Sequence, residues 1–376
     1  MGLDVVLLQN VLAPYRLPVF NCLATKVTRL DVLVSAESER RRSWSIDESA
    51  MDFQLSRLRG LMIPVSYVRE VPVSWGLPSM LKRLKPDVIV CSGFSLQTVQ
   101  ALIWRRVSQS AVVIWTEAHL HEKRAIRQRM VPSVDAFISA GSESRGRLLD
   151  MGARASSIFT AYNSVDMLVF FHRKSERSWS SPSFAFVGSL VEGKGLWTLM
   201  EASKLLHRDG VNHRIEVVGE GPLRDALEAE VVRHRLPWVF RGAQDAWEIA
   251  EVYRSAVACV LPSILDRNPL VLVESLCCGT PVIAADGVGS ARDHLVDLQH
   301  GRVFRTGAAL ELAEAMNAYT TRPLSHMMRS RLAAESAERF SPSAAACAMY
   351  DAVRFAADQR AQDVVRSRPW TKSDDL

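Results

Sequence analysis

The sequence is short of several features that would place it in a specialised class of protein. No apolar run reaches the ~18 residues that a membrane-spanning helix needs, and no basic stretch precedes the apolar start. Self-similarity at a fixed period is absent, which excludes collagen-like and repeat architectures. The start, Met1 to Arg16, carries Asp4 and is typical of a first β-strand rather than of a signal peptide.

Cysteine is scarce and scattered among the 376 residues. None of the six cysteines forms a Cys-x-x-Cys pair, and none stands beside a histidine at zinc-finger spacing. A chain of this length, 48% hydrophobic and 23% charged, can bury an ample core without disulfides. We therefore expect two or three globular domains with reduced thiols in their cores, as in a cytoplasmic protein.

Positive charge is concentrated in the first part of the chain. The formal net charge is +5, with 22 Lys+Arg against 15 Asp+Glu (+7) in residues 1–173 and 24 against 26 (−2) in the remainder. Such a surface attracts anionic partners such as a phosphorylated lipid, a membrane surface or an acidic polysaccharide, although it is also compatible with a merely solvated arginine-rich surface. Nucleic acid is the weakest option, because no aromatic residues interleave with the basic ones. The clusters are Arg40-Arg41-Arg42, Lys82-Arg83-Lys85, Arg105-Arg106, and Lys123-Arg124 with Arg127 and Arg129.

Short apolar strands alternate with amphipathic helices along the chain. Such continuously apolar strands suit a parallel sheet that is covered on both faces, so the pattern predicts an α/β fold built from βαβ units. The alternation of strands and helices stops in a polar, serine-rich stretch between Phe170 and Ser183 and then resumes. This interruption indicates a linker between two doubly wound domains. The predicted divisions are 1–173, 174–340, a C-terminal helix over 341–360 and a disordered tail over 361–376.

Two glycine-containing turns follow predicted strands of the second domain. In the first, Gly188 precedes Lys194 and a helix, an arrangement that suits an anion but also an ordinary βα turn. It is not a Walker loop, since Gly-x-x-x-x-Gly-Lys-Ser/Thr is absent. In the second, Gly219 and Gly221 are followed by Pro222, and structural punctuation is the better interpretation.

The most specific pattern is an acidic pair around a predicted helix start. Asp266 lies in the loop before Leu270, and Glu274 lies about one turn into the helix. Carboxylates suit sugar and ribose diols because they accept several strong hydrogen bonds. The alternative is that Asp266 caps the loop and Glu274 is a helix surface residue.

Taken together, these segments resemble the family-4 glycosyltransferases, a retaining family of GT-B fold. That resemblance implies two doubly wound Rossmann-like domains facing a central cleft, the first for the acceptor and the second for a nucleotide-sugar, with the helix over 341–360 crossing back to the first. Its matching pieces are Val187-Gly188 with Lys194-Gly195, Val218-Gly219-Glu220-Gly221-Pro222, Phe240-Arg241-Gly242, the Asp266/Glu274 pair, Gly279-Thr280-Pro281-Val282-Ile283-Ala284, and Tyr162-Asn163-Ser164-Val165-Asp166.

The resemblance also implies roles for individual residues. Catalysis would fall to Lys194 at the diphosphate, Asp266 at the transferred sugar and His119 near a strand end, where a solvent-facing loop histidine is the alternative. This chain departs from the family at Asp266, where glutamate is usual, and at Ser189, where arginine is frequent. The implied donor-binding residues are Gly188, Ser189, Lys194, Arg241, Gly242, Asp266, Leu270, Val271 and Glu274, and the implied acceptor-binding residues are Tyr15, Arg16 and Glu117.

The expected activity is therefore transfer of a sugar, with retention, from a UDP- or GDP-linked donor to a glycan or lipid-linked acceptor in cell-surface polysaccharide or glycolipid biosynthesis. No Asp-x-Asp occurs, so neither a metal nor another cofactor is expected. We expect a cytoplasmic protein with peripheral contact to an anionic membrane at its inner face. The alternatives are a nucleotide-sugar epimerase of the same architecture and a non-catalytic nucleotide-sugar-binding protein.

Overall fold

The structure, a computed structural model, describes residues 2–36, 47–66, 69–117, 124–171, 182–297 and 299–366. The chain divides into two compact units, one formed by residues 1–162 with 342–376 and the other by residues 163–341. Each unit contains a parallel sheet with helices on both faces. Of the basic clusters, Arg40-Arg41-Arg42 and Lys123 lie outside the described residues.

The first unit is built on a parallel sheet of seven described strands in the order β3-β2-β1-β6-β7-β8-β9. Its central strands are continuously apolar and fully buried, as the sequence predicts for a sheet that is covered on both faces. The strands β4 and β5 form a separate antiparallel hairpin. The strands are β1 (Asp4–Gln9), β2 (Arg29–Val34), β3 (Gln54–Arg57), β4 (Gly60–Ser66), β5 (Arg69–Ser74), β6 (Val88–Ser92), β7 (Ala111–Thr116), β8 (Ala136–Ser139) and β9 (Ile158–Thr160).

Helices of the first unit cover the sheet through two apolar clusters. One side buries Phe20 and Leu23 of the first helix against strands β1 and β2, and the other buries Leu77, Leu81 and Ala101. The helices are α1 (Leu17–Ala24), α2 (Leu77–Leu84), α3 (Leu96–Val107), α4 (Arg124–Met130) and α5 (Ser142–Asp150).

The second unit repeats the architecture, with the strand order β12-β11-β10-β13-β14-β15 in a parallel sheet. The strands are β10 (Ser183–Val187), β11 (Arg214–Val218), β12 (Trp238–Gly242), β13 (Ala258–Leu261), β14 (Val282–Ala285) and β15 (Gly301–Phe304). The helices are α6 (Met167–Phe170), α7 (Leu196–Arg208), α8 (Arg224–His234), α9 (Ala246–Ser255), α10 (Leu270–Cys277), α11 (Ala291–His294), α12 (Ala309–Thr321) and α13 (His326–Phe340). The predicted fold class of two doubly wound, Rossmann-like α/β domains is confirmed.

The boundary between the units lies after Tyr162, so the predicted boundary after Arg173 is wrong. The reason is that α6 belongs to the second unit by its contacts. The buried Arg254 guanidinium donates a hydrogen bond to the Val169 carbonyl, and the Phe170 ring packs against Tyr253 at 6.4 Å. Most of the predicted polar linker, residues 172–181, lies outside the described residues.

The last helix, α14 (Pro342–Arg366), belongs to the first unit. Its buried face, which includes Met349 and Val353, joins the same core as β1 and α1. Arg360 extends this attachment by donating hydrogen bonds to the Arg105 and Ser108 carbonyls at 2.6 and 2.9 Å. The helix therefore continues through residues 361–366, where the sequence analysis expected a disordered tail, and residues 367–376 lie outside the described part.

All six cysteines carry free thiols, and four of them are buried, so no disulfide contributes to either core. Within the described residues, no helix is long and apolar enough to cross a membrane.

Candidate functional site

The candidate site lies where the strand order of the second sheet reverses. β10 and β13 are neighbours at the centre of this sheet, but the chain continues from them toward opposite edges. The loops that follow such strands diverge and leave a crevice at the carboxyl edge, where ligands of open sheets bind. Here the two loops are residues 188–195 and 262–269, and they are tied together by a hydrogen bond from the Ile264 N–H to the Gly193 carbonyl at 3.0 Å.

Gly195 is the residue that lets these two loops meet. Its φ of +68° lies in the left-handed region, and a Cβ atom there would stand 1.9 Å from the Pro262 carbonyl oxygen. The close approach places the Lys194 Nζ 2.5 Å from the Asp266 Oδ2. Both side chains are partly exposed, so the cation and the carboxylate that the sequence singles out form one ion pair open to solvent.

A second close approach joins the loops after β10 and β11. Gly219 has a φ of +130°, and a Cβ atom there would stand 2.0 Å from the Gly188 carbonyl oxygen. The Leu190 N–H donates to the Glu220 carbonyl at 2.9 Å, which fastens the loops together. The interpretation of this turn as a structural element fits the geometry, because Gly219 allows the two loops to pack closely.

We expect Gly219→Ala to destabilise the protein by about 2–4 kcal/mol, because the backbone is in the left-handed region and the methyl group meets a carbonyl. Gly210→Ala is the matched control, since Gly210 also has a positive φ but has open space around it. It should cost only about 1 kcal/mol. Urea denaturation of both variants measures the difference, and equal losses would contradict the packing role of Gly219.

Helix α10 contributes backbone donors to the same edge of the sheet. Pro269 caps the helix in an extended conformation, and its fixed φ suits that position while removing one N–H. Leu270 and Val271 are the first two helical residues, so their N–H groups have no acceptor within the helix. Together with the dipole of the helix, they favour an anion at this end.

Glu274 lies one turn into α10 and turns toward the interior of the unit. Its Oε2 accepts a hydrogen bond of 3.0 Å from the hydroxyl of Tyr253, a fully buried residue of α9. Glu274 is therefore only partly exposed, and it has a buried hydrogen-bond partner that an ordinary helix surface residue lacks. Burial raises the pKa of Glu274 from its ordinary value of 4.5 to about 7, although the Tyr253 hydrogen bond lowers it in part.

Among the described residues, the groups that interact with Glu274 carry no positive charge. Those that interact with it are the Tyr253 hydroxyl and three thiols, Cys259 on β13 and Cys277 and Cys278 on and after α10. Burial raises the pKa of each of them, so all four are neutral near pH 7. Glu274 is thus a carboxyl group poised between its acid and its base, a state that is common at functional sites.

The remaining predicted donor-binding residues lie at the same edge but make other contacts. The Arg241 guanidinium donates to the buried Glu216 carboxylate at 2.7 Å, so its charge is already paired. Gly242 is the last residue of β12 and has a φ of +72°. Ser189 is exposed beside Gly188, and Asp266 is tied to the next loop by hydrogen bonds with the backbone of Gly287 and Gly289.

The predicted acceptor-binding residues come together in the first unit, at the ends of β1 and β7. The Arg16 guanidinium donates to Glu117 at 2.9 Å and lies 3.9 Å from the centre of the Trp115 ring, with the Tyr15 ring at 5.5 Å. Charge and stacking together hold this arginine in one position. His119 lies outside the described residues.

Sequence reasoning missed two residues of these clusters, Tyr253 and Trp115. Tyr253 is 21 positions from its partner Glu274, and its only local signal is a polar tip on the apolar face of α9. Trp115 lies within β7, whose continuously apolar sequence gives no sign of a functional contact. In the described part of the chain, no group of three or more His, Cys, Asp or Glu residues is arranged to hold a metal ion.

The part of the chain that holds the candidate site matches one family model. Residues 170–339 match the family model "Glycosyl transferases group 1". The putative colanic acid biosynthesis glycosyltransferase WcaL of Salmonella typhimurium is 29% identical over 147 residues, which are 37% of this chain and 36% of that protein. The match thus spans about a third of that curated relative's length.

Solved structures share the fold over nearly the whole chain. The lipopolysaccharide outer core galactosyltransferase WaaB has a TM-score of 0.72 at 17% identity, covering 93% of this chain and 99% of its own. Alr3699/HepE of Anabaena, solved in complex with UDP, has a TM-score of 0.68 at 16% identity, covering 96% and 100%. The residues that match the family model include Lys194, Asp266, Leu270 and Glu274, so the candidate site lies within the part of the chain that is similar to glycosyl transferases group 1.

Proposed function

We propose that the protein is a retaining glycosyltransferase that moves a sugar from a UDP- or GDP-linked donor to a glycan or lipid-linked acceptor. The observation that carries the proposal is the single edge of the second sheet that holds Lys194, the start of α10 and Glu274. A cation, free backbone donors and a carboxylate in this order suit a diphosphate followed by a ribose. The family match and the UDP-bound fold relative support this choice.

In the proposed reaction, the bond between the anomeric carbon and the diphosphate breaks and negative charge grows on the leaving oxygen. Lys194 and the N–H groups of Leu270 and Val271 stabilise that charge, which lowers the barrier. The acceptor hydroxyl attacks from the face that the diphosphate leaves and passes its proton to the departing phosphate oxygen. These contributions come from this chain's own groups, and the proposed transfer uses no metal.

Donor binding would first have to separate Lys194 from Asp266, because the two are paired at 2.5 Å. The diphosphate carries more negative charge than one carboxylate and competes for the ammonium group. Once released, Asp266 is free to accept hydrogen bonds from the hydroxyls of the transferred sugar. The proposed acceptor side uses Tyr15, Arg16 and Glu117, and we propose His119 as a further catalytic residue.

The test is product analysis with UDP- and GDP-sugars against a panel of glycan and glycolipid acceptors. The proposal predicts transfer with the donor's anomeric configuration, read from the proton coupling at the new linkage, and equal rates with and without a chelator. A change of sugar without transfer would indicate an epimerase. Binding of donor without turnover on any acceptor would indicate a non-catalytic binding protein.

Tyr253→Phe is expected to move the pH dependence of nucleotide binding upward. The variant removes only the hydroxyl that lowers the pKa of Glu274, so the carboxyl loses its proton at a higher pH than in the wild type. Since the ribose needs a carboxylate acceptor, affinity is retained above the pKa of Glu274 and is lost as the pH falls through it. Nucleotide affinity, measured at a series of values across the range of about pH 5 to 9, gives the pH at which half of the affinity is lost.

The control for this prediction is Tyr350→Phe, which makes the same change on α14 in the other unit. We expect this control variant to have the same midpoint in the pH dependence of nucleotide affinity as the wild type. An unchanged midpoint in Tyr253→Phe, from protein that binds nucleotide, would show that the hydroxyl only fills space.

A further inference from the structure

Helix α3 of the first unit exposes an apolar stripe formed by Leu96, Val99, Ile103 and Val107. The four side chains are between 41% and 78% exposed. Their spacing of three or four residues puts them along one side of the helix, while Gln97, Thr98 and Ala101 are buried on the other. The helix is thus apolar on the side that meets solvent as well as on part of the side that meets the sheet.

Further exposed apolar side chains occur on the elements next to α3. The Gln100 side chain donates a hydrogen bond to the Ser74 carbonyl at 2.8 Å, which joins α3 to the end of β5. Trp75 comes directly after Ser74 and is exposed, as are Leu61 and Ile63 on β4. A helix that exposes four apolar side chains along one side is uncommon on a protein that has no partner for them.

Positive charge surrounds this surface. Helices α2, α3 and α4 contain seven Lys and Arg residues and no Asp or Glu. Arg105 is paired with Asp135, whereas Lys82, Arg83 and Arg106 are exposed. α4 is close to the start of α3, since the Arg127 guanidinium lies 6.0 Å from the centre of the Phe94 ring.

We propose that the apolar stripe with Leu61, Ile63 and Trp75 docks this protein on the surface of an anionic lipid bilayer. Apolar side chains of an interfacial helix enter the boundary between headgroups and acyl chains, and nearby cations interact with anionic headgroups. A partner protein of ordinary composition would meet the apolar groups but would leave this one-signed charge uncompensated. The proposal rests on the proposed function in one respect, since a lipid-linked acceptor would be reached at the bilayer surface.

The experiment is co-sedimentation of the full chain with phosphatidylcholine vesicles, with and without phosphatidylglycerol. We expect the wild type to bind only the anionic vesicles and to be released as salt is raised. Val99→Ser/Ile103→Ser should lower the bound fraction by about tenfold, because two apolar side chains no longer enter the lipid. The matched control is Val232→Ser/Leu310→Ser, which makes the same kind of change at exposed positions of the second unit and should bind like the wild type.

Lys82→Glu/Arg106→Glu keeps the stripe intact and tests the charge separately. It should abolish the preference for anionic vesicles. Thermal melting shows whether each variant is folded, and nucleotide titration of the same samples tests the donor site independently of the lipid.

Three results would overturn the proposal. One is equal wild-type binding to neutral and anionic vesicles, and another is undiminished binding by folded Val99→Ser/Ile103→Ser. The third is a wild-type dimer that ignores vesicles and that the same double variant splits, because a second copy of the chain would then cover the stripe.

Discussion

Replacing Lys194 by methionine is expected to lower kcat/KM for sugar transfer by about 10²–10³-fold. Methionine keeps much of the length and the apolar stem of the side chain, so the change removes mainly the charge. That charge is the one cation of the described loop over residues 188–195, and it lies 2.5 Å from Asp266. In the proposed reaction it stabilises the leaving diphosphate, where negative charge grows most, so the loss should fall on kcat as well as on donor binding.

The matched control is Lys204→Met, the same substitution on α7. Lys204 is paired with Glu201 and Glu230 on the outer surface of the second unit. Surface ion pairs contribute little to stability, so kcat/KM and the melting temperature should stay close to those of the wild type. Steady-state kinetics with a saturating acceptor measure both variants. Equal activity of Lys194→Met and Lys204→Met would remove Lys194 from the catalytic machinery.

Glu274→Ala is expected to weaken binding of the preferred nucleoside diphosphate by about 10–100-fold, because hydrogen bonds to a charged acceptor contribute about 1.5–3 kcal/mol. The proposed ligand of the carboxylate is the ribose diol, so loss of affinity should be the same for the nucleotide alone and for the nucleotide-sugar. Truncation also leaves the buried Tyr253 hydroxyl without its acceptor. Calorimetric titration measures the affinities.

Glu274→Gln separates the charge from the packing. Gln retains an oxygen for the Tyr253 hydroxyl but cannot ionise. In the wild type the folded-state pKa of about 7 lies above the ordinary value of 4.5, so the folded protein binds more protons than the unfolded chain between these values. The stability associated with this group therefore falls as the pH rises through that window.

The Gln variant should consequently be more stable than the wild type at about pH 8 and equal to it at about pH 4, while it binds nucleotide less well. Urea denaturation at the two values measures the effect. If the variant is less stable than the wild type at the higher pH, Glu274 stabilises the fold. Its proposed role at the ribose then fails.

Much of this architecture is predictable because the alternation of apolar strands and amphipathic helices is strong over both sheets. Among the strands that the apolar pattern does not predict, three have a sequence that differs from a buried strand. β3 is a polar, half-exposed edge strand, and β4 and β5 contain Pro64 and Pro72. They form an edge and a hairpin, where hydrogen bonding to the neighbouring strand, and not the apolar pattern, determines the structure.

In the candidate site, too, some features follow from the sequence pattern, whereas others depend on tertiary contacts. Lys194 and Asp266 are 72 residues apart, yet both follow strands at the switch point of the sheet, so their proximity follows from topology. Arg241 could not be assigned its partner Glu216 from the sequence, because that contact depends on how two neighbouring strands align. The helical extension of α14 past residue 360 likewise depends on a tertiary contact, the hydrogen bonds that Arg360 donates to the Arg105 and Ser108 carbonyls at the end of α3.

A crystal structure of the protein with a bound nucleoside diphosphate is the most direct test of the proposed donor site. We expect the diphosphate to contact Lys194 and the N–H groups of Leu270 and Val271. We also expect the ribose hydroxyls to contact Glu274 and the Lys194–Asp266 pair to be separated. A nucleotide bound elsewhere on the chain, or one that leaves Lys194 and Glu274 untouched, would contradict the proposed donor site.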